Sequence, residues 1–343
     1  MLPQMSDAPE TRAKPYIGGQ AVIEGVMMRS PTSFAVAVRR PDGKIVVREE
    51  KWQPLWGRWK FLRWPLLRGG VVLVESMSNG YSALKFSADQ ASPDAQQSTA
   101  GTSLTMTFSV LVALFLFVGL PHAVAGWLGL DPQSMPFHLA AGATKLTLLL
   151  GYMTAISRVP EIRRVFQFHG AEHKSIYAYE KGLDLTVENA RAQTRFHPRC
   201  GTTFLIVFVA VSILVFSLAF QLVPTISASA WLQRPFEILL KLPLLFPVAG
   251  LAYEFQRWTA KRADKAWVRA LMLPGVAVQN ITTREPVDDQ LEVALAALRV
   301  AMWRENAGLA APEKASEPQA FDSLADLERA IETWGDGELR AAA

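Results

Sequence analysis

Two long uncharged apolar runs constrain this chain more than any other feature. Residues 104–128, Leu104 to Leu128, and residues 203–223, Thr203 to Val223, hold no Asp, Glu, Lys or Arg. Each reaches the roughly 20 residues that a helix needs to cross the hydrocarbon core of a bilayer. In lipid every backbone N–H and C=O must be paired within the segment, and a helix does this locally. Two weaker runs accompany them. Residues 135–156 carry one charge, Lys145, and residues 236–255 carry Lys241, with Glu237 and Glu254 near the ends. A soluble core helix could explain one such run but not four, and half of the 343 residues are hydrophobic. The expected fold is mainly α: a polytopic membrane protein with four transmembrane helices, a small cytoplasmic α+β section at the N-terminus, and cytoplasmic helical segments. Lys145 and Lys241 are expected to snorkel or to face the bundle interior.

Orientation follows from where Lys and Arg fall. The link between the first two spans, around Leu130 to Gln133, has neither residue, and the link between the third and fourth has only Arg234. The segment between the second and third spans holds Arg158, Arg163, Arg164, Lys174, Lys181, Arg191, Arg195 and Arg199. Arg257, Lys261, Arg262, Lys265 and Arg269 follow the fourth. Both termini and the central segment are therefore expected in the cytoplasm. Met1 to Lys14 is polar and lacks the apolar stretch of a cleavable signal peptide. A single cysteine excludes an internal disulfide and suits a reducing compartment. The net charge of +4 suits contact with anionic lipid. No nucleic-acid partner is expected, because the basic residues sit beside the spans rather than in one compact stripe.

The section boundaries follow from composition. Residues 1–16 read as a disordered N-terminus and residues 17–103 as the α+β section. Within the latter, Phe34–Arg40 and Lys44–Arg48 form β-rich runs around the turn Pro41-Asp42-Gly43, and Gly18–Gly25 reads as a further strand. Trp52, Trp56, Trp59 and Trp64 alternate with Arg58, Lys60, Arg63 and Arg68, a texture expected at headgroup depth. Residues 104–255 form the membrane region, interrupted by a loop at 157–202. There Pro160 and Gly182 bracket a helical pattern. Residues 256–305 form a helical segment and 306–343 a flexible tail, within which Ser323–Trp334 reads as a short helix.

The chemistry concentrates in that loop. His169, Glu172 and His173 form an H-x-x-E-H array, which uses two of only five histidines. Residues four apart share a helix face, so His169 and His173 can address one metal ion, with Glu172 beside them. His197 follows 24 residues after His173, in His-Pro-Arg-Cys, three positions before Cys200. A catalytic zinc wants about three protein ligands and one open position. His197 is the best third candidate, with Cys200 a third or fourth, and Glu172 is the candidate general base. Glu24 could add a carboxylate if the N-terminal section folds back. Without a metal, His197 would cap a helix, Cys200 would pack as a small apolar side chain, and the paired histidines would bond to loops. His122 and His138 receive no role.

Five blocks, Gly18–Arg29, Phe168–Lys174, Leu185–Asn189, His197–Gly201 and Thr282–Pro286, together resemble the DUF1385 family of bacterial membrane proteins. The resemblance implies a bacterial inner-membrane location and a metal-dependent activity, with His169, Glu172, His173, His197 and Cys200 as the functional residues and zinc as the expected divalent ion. The leading expectation is a hydrolase at the cytoplasmic membrane surface, in contact with the lipid bilayer. The alternative is a non-enzymatic scaffold or assembly factor with a membrane-protein partner or a second copy of itself.

Overall fold

The computed structural model describes residues 15–52, 60–92, 99–222, 230–308 and 315–334. Its N-terminal section is an antiparallel meander of β1 (Gly18–Val22), β2 (Gly25–Arg29), β3 (Ser33–Arg39) and β4 (Ile45–Lys51). The run Gly18–Gly25, expected as one strand, instead turns back on itself. Val22 pairs with Gly25, and Glu24 takes φ 50° in the turn between them. At the next hairpin Gly43 supplies φ 87°, and Arg39 pairs with Ile45.

The α-helices are α1 (Leu67–Ala91), α2 (Thr99–Leu114), α3 (Leu120–Trp127), α4 (Met135–Ile156), α5 (Pro160–Lys181) and α6 (Val187–Arg191). They continue with α7 (Gly201–Ala219), α8 (Ala230–Ala260), α9 (Ala266–Thr282), α10 (Asp288–Ala307) and α11 (Leu324–Thr333). Helices cover both faces of the sheet. On one face Val26, Met28, Ala35, Ala37 and Val47 pack against Leu291, Leu295 and Leu298 of α10 and Phe168 of α5. On the other, Met27, Phe34, Val36 and Val46 meet Ala83 and Phe86 of α1. A strand covered on both sides has no solvent face, so β3 is buried from Ser33 to Val38 without alternation. Each large apolar side chain so enclosed contributes roughly 1.5–3 kcal/mol. Arg304 of α10 and Glu49 of β4, 2% and 0% exposed, form an ion pair inside this core.

Within the tail, a strand forms in the stretch expected to be flexible, and the helix expected over 323–334 is present as α11. β5 (Gln319–Phe321) adds to the sheet edge with Phe321 opposite Ile45. Leu324, Leu327 and Ala330 of α11 close the core behind it. The tryptophan segment is also divided. Trp52 is buried with its ring 6.1 Å from that of Phe34, whereas Trp64 is 65% exposed. Trp56, Trp59 and residues 1–14, expected to be disordered, lie outside the described residues.

Four helices are long and apolar enough to cross a membrane: Thr107–Trp127, Met135–Ile156, Gly201–Leu222 and Phe236–Ala260. The first joins α2 to α3 through one π turn at Phe115–Gly119. The spans present Phe115, Leu218, Leu222 and Leu239 outward, an apolar surface compatible with lipid contact. Lys241 faces inward, 2.5 Å from Nε2 of His122 and over the ring of Phe220. At the other end of α8, the backbone passes against the chain entering α1. A Cβ on Gly250 would lie 1.7 Å from the carbonyl oxygen of Leu66. Small residues permit such close approach in membrane bundles.

Candidate metal centre

α5 begins at Pro160 and ends at Gly182, which takes a left-handed φ of 72°. Its inner face carries His169, Glu172 and His173, and the two imidazole rings stand 4.5 Å apart. Cys200 is the residue from which α7 starts, and this places its thiol against α5. The Nε2 of His169 is 3.2 Å from Cys200 Sγ. One ring nitrogen from each of His169 and His173 and the sulfur all lie within 4.8 Å of one another.

Backbone carbonyls orient both rings. His169 Nδ1 bonds the carbonyl of Thr282 at 2.8 Å, and His173 Nδ1 bonds the carbonyl of Arg195. A carbonyl oxygen only accepts, so each Nδ1 carries a proton. In the neutral ring this leaves the lone pair on Nε2, the nitrogen that His169 turns to the thiol. Metal-binding histidines are commonly held this way, with the outer nitrogen fixed by a carbonyl or carboxylate.

The segment that carries Arg195 and His197 is tied in turn to α9 and the residue after it. Gln279, fully buried, accepts from His197 N at 2.8 Å and donates to His197 O at 2.7 Å and Thr203 Oγ1 at 3.1 Å. Arg195 donates to the carbonyl and hydroxyl of Thr283. Gln256 of α8 donates to the Cys200 carbonyl at 3.0 Å. Gln256, Gln279 and Arg195 were not among the sequence candidates. For Gln279 the available signal was an amide side chain within an otherwise apolar helix, Ala266–Thr282.

Glu172 is 5% exposed and packs against β1. A Cβ on Gly19 would lie 2.8 Å from its Cγ and 2.9 Å from Oε1, so a larger residue there would displace the Glu172 side chain. The N-terminal section thus folds onto the histidine helix through Gly19. Glu24, the suggested extra carboxylate, pairs with Arg164 and lies outside the cluster. His197 lies beside the group formed by His169, His173 and Cys200. Its ring stands 5.5 Å from that of His173, but its Nδ1 accepts from Arg199 N at 3.3 Å. Its buried Nε2 has no hydrogen-bond partner among the described residues; the nearest carboxylate oxygen, Glu180 Oε2, stands at 3.6 Å.

The electrostatics agree with these roles. Burial disfavours a thiolate at Cys200, yet His169 and His173 outweigh it and hold the thiol well below its ordinary value. Burial likewise disfavours the imidazolium of His169, and the Cys200 sulfur overcomes it, raising His169 to about 9. Burial, with His173 beside it, lowers His197 to about 4 and keeps it neutral. Burial pushes Glu172 above the ordinary carboxylate range against the pull of His173 and His169. Two imidazoles and a thiolate suit a borderline-soft divalent ion such as zinc, for which three protein ligands leave one position open.

A family model described as a protein of unknown function (DUF1385) matches residues 64–304. The uncharacterized protein YqhQ of Bacillus subtilis (strain 168) is 34% identical over 305 residues, 83% of this chain and 91% of the relative. No solved structure matches.

Proposed function

Because the chain belongs to the DUF1385 family, whose description assigns no activity, its chemistry has to be read from its own residues, and we propose that it is a metal-dependent membrane enzyme of hydrolase type. The observation that carries the reading is the orientation of His169 and His173, each fixed at Nδ1 by a backbone carbonyl beside the Cys200 thiol. His169, His173 and Cys200 hold the ion in this reading. Zinc in such a set supplies a bound water with a pKa near ~7. Glu172, buried and raised above the ordinary range by that burial, accepts and returns a proton at its carboxylate. Gly19 and β1 keep that carboxylate in place. His197, bonded through its backbone to Gln279, positions Cys200 instead of binding metal. The distribution of Lys and Arg supports placing this face and both termini in the cytoplasm of a bacterial inner membrane.

The same contact favours a second reading. A thiolate at 3.2 Å from an imidazolium whose Nδ1 is held by Thr282 is also the arrangement of an activated cysteine nucleophile. Elemental analysis of the purified full chain decides between them. The metal reading expects about one zinc per chain, lost in the His169→Ala/His173→Ala variant at unchanged folding. Folded wild type without metal, whose Cys200 is alkylated by iodoacetamide, would favour the nucleophile; metal-free protein with an inert Cys200 would leave the scaffold alternative.

A further inference from the structure

A cationic cavity of about 690 Å³ opens beside the candidate metal centre. Arg63, Arg68, Arg199, Arg257 and Lys261 line it, together with Tyr16, Tyr253 and Gln256. Two of its residues tie it to the centre. Arg199 directly precedes Cys200, and Gln256 holds the Cys200 carbonyl. From this arrangement we infer that the cavity binds the phosphate-bearing headgroup of a membrane lipid, presented to the neighbouring site as its substrate. The inference rests on the enzymatic reading above and names its substrate class.

The first argument is charge. Arg68 pairs with Glu254 and Arg199 with Glu180. Arg63, Arg257 and Lys261 form no ion pair among the described residues. Three cations around one concavity leave an excess of positive charge that an anion with several oxygens would balance. A phosphate ester matches this, since guanidinium groups fork onto its oxygens. The Tyr253 hydroxyl and the Gln256 amide add neutral polar groups to the wall.

The second argument is depth. One span starts at Gly201 and another ends at Ala260, so residues 199–200 and 256–261 straddle the boundary where headgroups lie. Aromatic side chains mark the same level. Trp64 is 65% exposed, and the rings of Trp258 and Trp267, both exposed, stand 5.6 Å apart with Arg262 over Trp258. Exposed tryptophans beside cations are the signature of that layer. A volume near 690 Å³ falls within the range of small-molecule sites and can hold a headgroup.

The test uses the full chain in neutral detergent micelles. Dioleoyl phosphatidate, dioleoyl phosphatidylcholine and inorganic phosphate are titrated separately, and bound molecules are counted by native mass spectrometry. The expected result is saturable binding of phosphatidate, at least about tenfold tighter than phosphatidylcholine, with no comparable uptake of free phosphate. Each charge-assisted hydrogen bond to a bound phosphate carries roughly a fivefold effect or more. The Arg63→Gln/Arg257→Gln/Lys261→Gln variant should therefore lose about 100-fold, while Arg262→Gln/Lys265→Gln/Arg269→Gln, the same charge removed outside the cavity, should stay near wild type. Equal loss in both variants, no loss in the first, or preference for free phosphate would overturn the proposal. Metal content is measured on the same samples. Metal-free protein that still binds phosphatidate would sink the metal-dependent reading alone, and metal-loaded protein that ignores it would sink the headgroup assignment alone.

Discussion

The Glu49–Arg304 pair makes an unequal prediction for its two partners. Both side chains are enclosed between the sheet and α10, so removing either leaves the other buried without its counter-charge, at a typical cost of about 3–5 kcal/mol. The two halves differ in how they can relax. A carboxyl group can bind a proton and become neutral, and burial already raises Glu49 above its ordinary range even with Arg304 pulling it down. A guanidinium cannot shed its proton. Glu49→Leu should therefore reach the upper end of the range and Arg304→Met the lower end. The Glu49→Leu/Arg304→Met double variant should return close to wild type or exceed it. At roughly 2–4 °C per kcal/mol for a unit of this size, Glu49→Leu should lower the melting temperature by about 10–20 °C, read as loss of the monodisperse peak after heating. Arg304→Met should also show a pH signature. With Arg304 gone, the folded pKa of Glu49 lies further above the unfolded one, so the folded state holds the extra proton and stability rises as pH falls from about 8 to about 5. Equal single-variant losses below about 1 kcal/mol, with no pH effect, would refute the enclosed pair and the seating of α10 on the sheet.

Further predictions concern the site and its supports. Cys200→Ala should lower zinc affinity by at least about 100-fold, whereas His197→Ala should keep the metal and lose at most about 100-fold as a supporting residue; competition with a chromogenic chelator reads both, and the reverse order would restore His197 as a ligand. Gly170→Ala would place a Cβ 2.1 Å from the carbonyl oxygen of Arg284, where backbone must move, so a loss of about 1–3 kcal/mol is expected. Gly151→Ala, with nothing within 4 Å, should be neutral in the same melting assay.

Much of the scaffold was legible because its signals are local. Pro160 and Gly182 bound α5 to the residue, and the apolar runs mark the spans to within a few positions, apart from the fourth, which extends to Ala260. Other features depend on distant contacts. β5 is only three residues long within an Ala-, Glu- and Pro-rich stretch, and it exists because β4 offers an edge to pair with. Glu24 had the chemistry of a ligand, but the turn after Val22 sends it to Arg164 and leaves Gly19 facing Glu172. The choice between His197 and Cys200 was equally hidden. Both follow from one short motif, but Gln279, 82 residues away in sequence, fixes the His197 backbone, and Arg199 N donates to its Nδ1. The carbonyls of Thr282 and Arg195, which orient the imidazoles, carry no side-chain signature at all.

The central claim is the ligand set itself, and X-ray absorption at the zinc edge of the purified, zinc-loaded full chain reads it directly. The expected spectrum shows one sulfur at about 2.3 Å and two imidazole nitrogens at about 2.0–2.1 Å, completed by a lighter oxygen scatterer, with the sulfur shell absent in Cys200→Ser. A first shell of oxygen and nitrogen alone in the wild type, or a sulfur shell that survives Cys200→Ser, would contradict it.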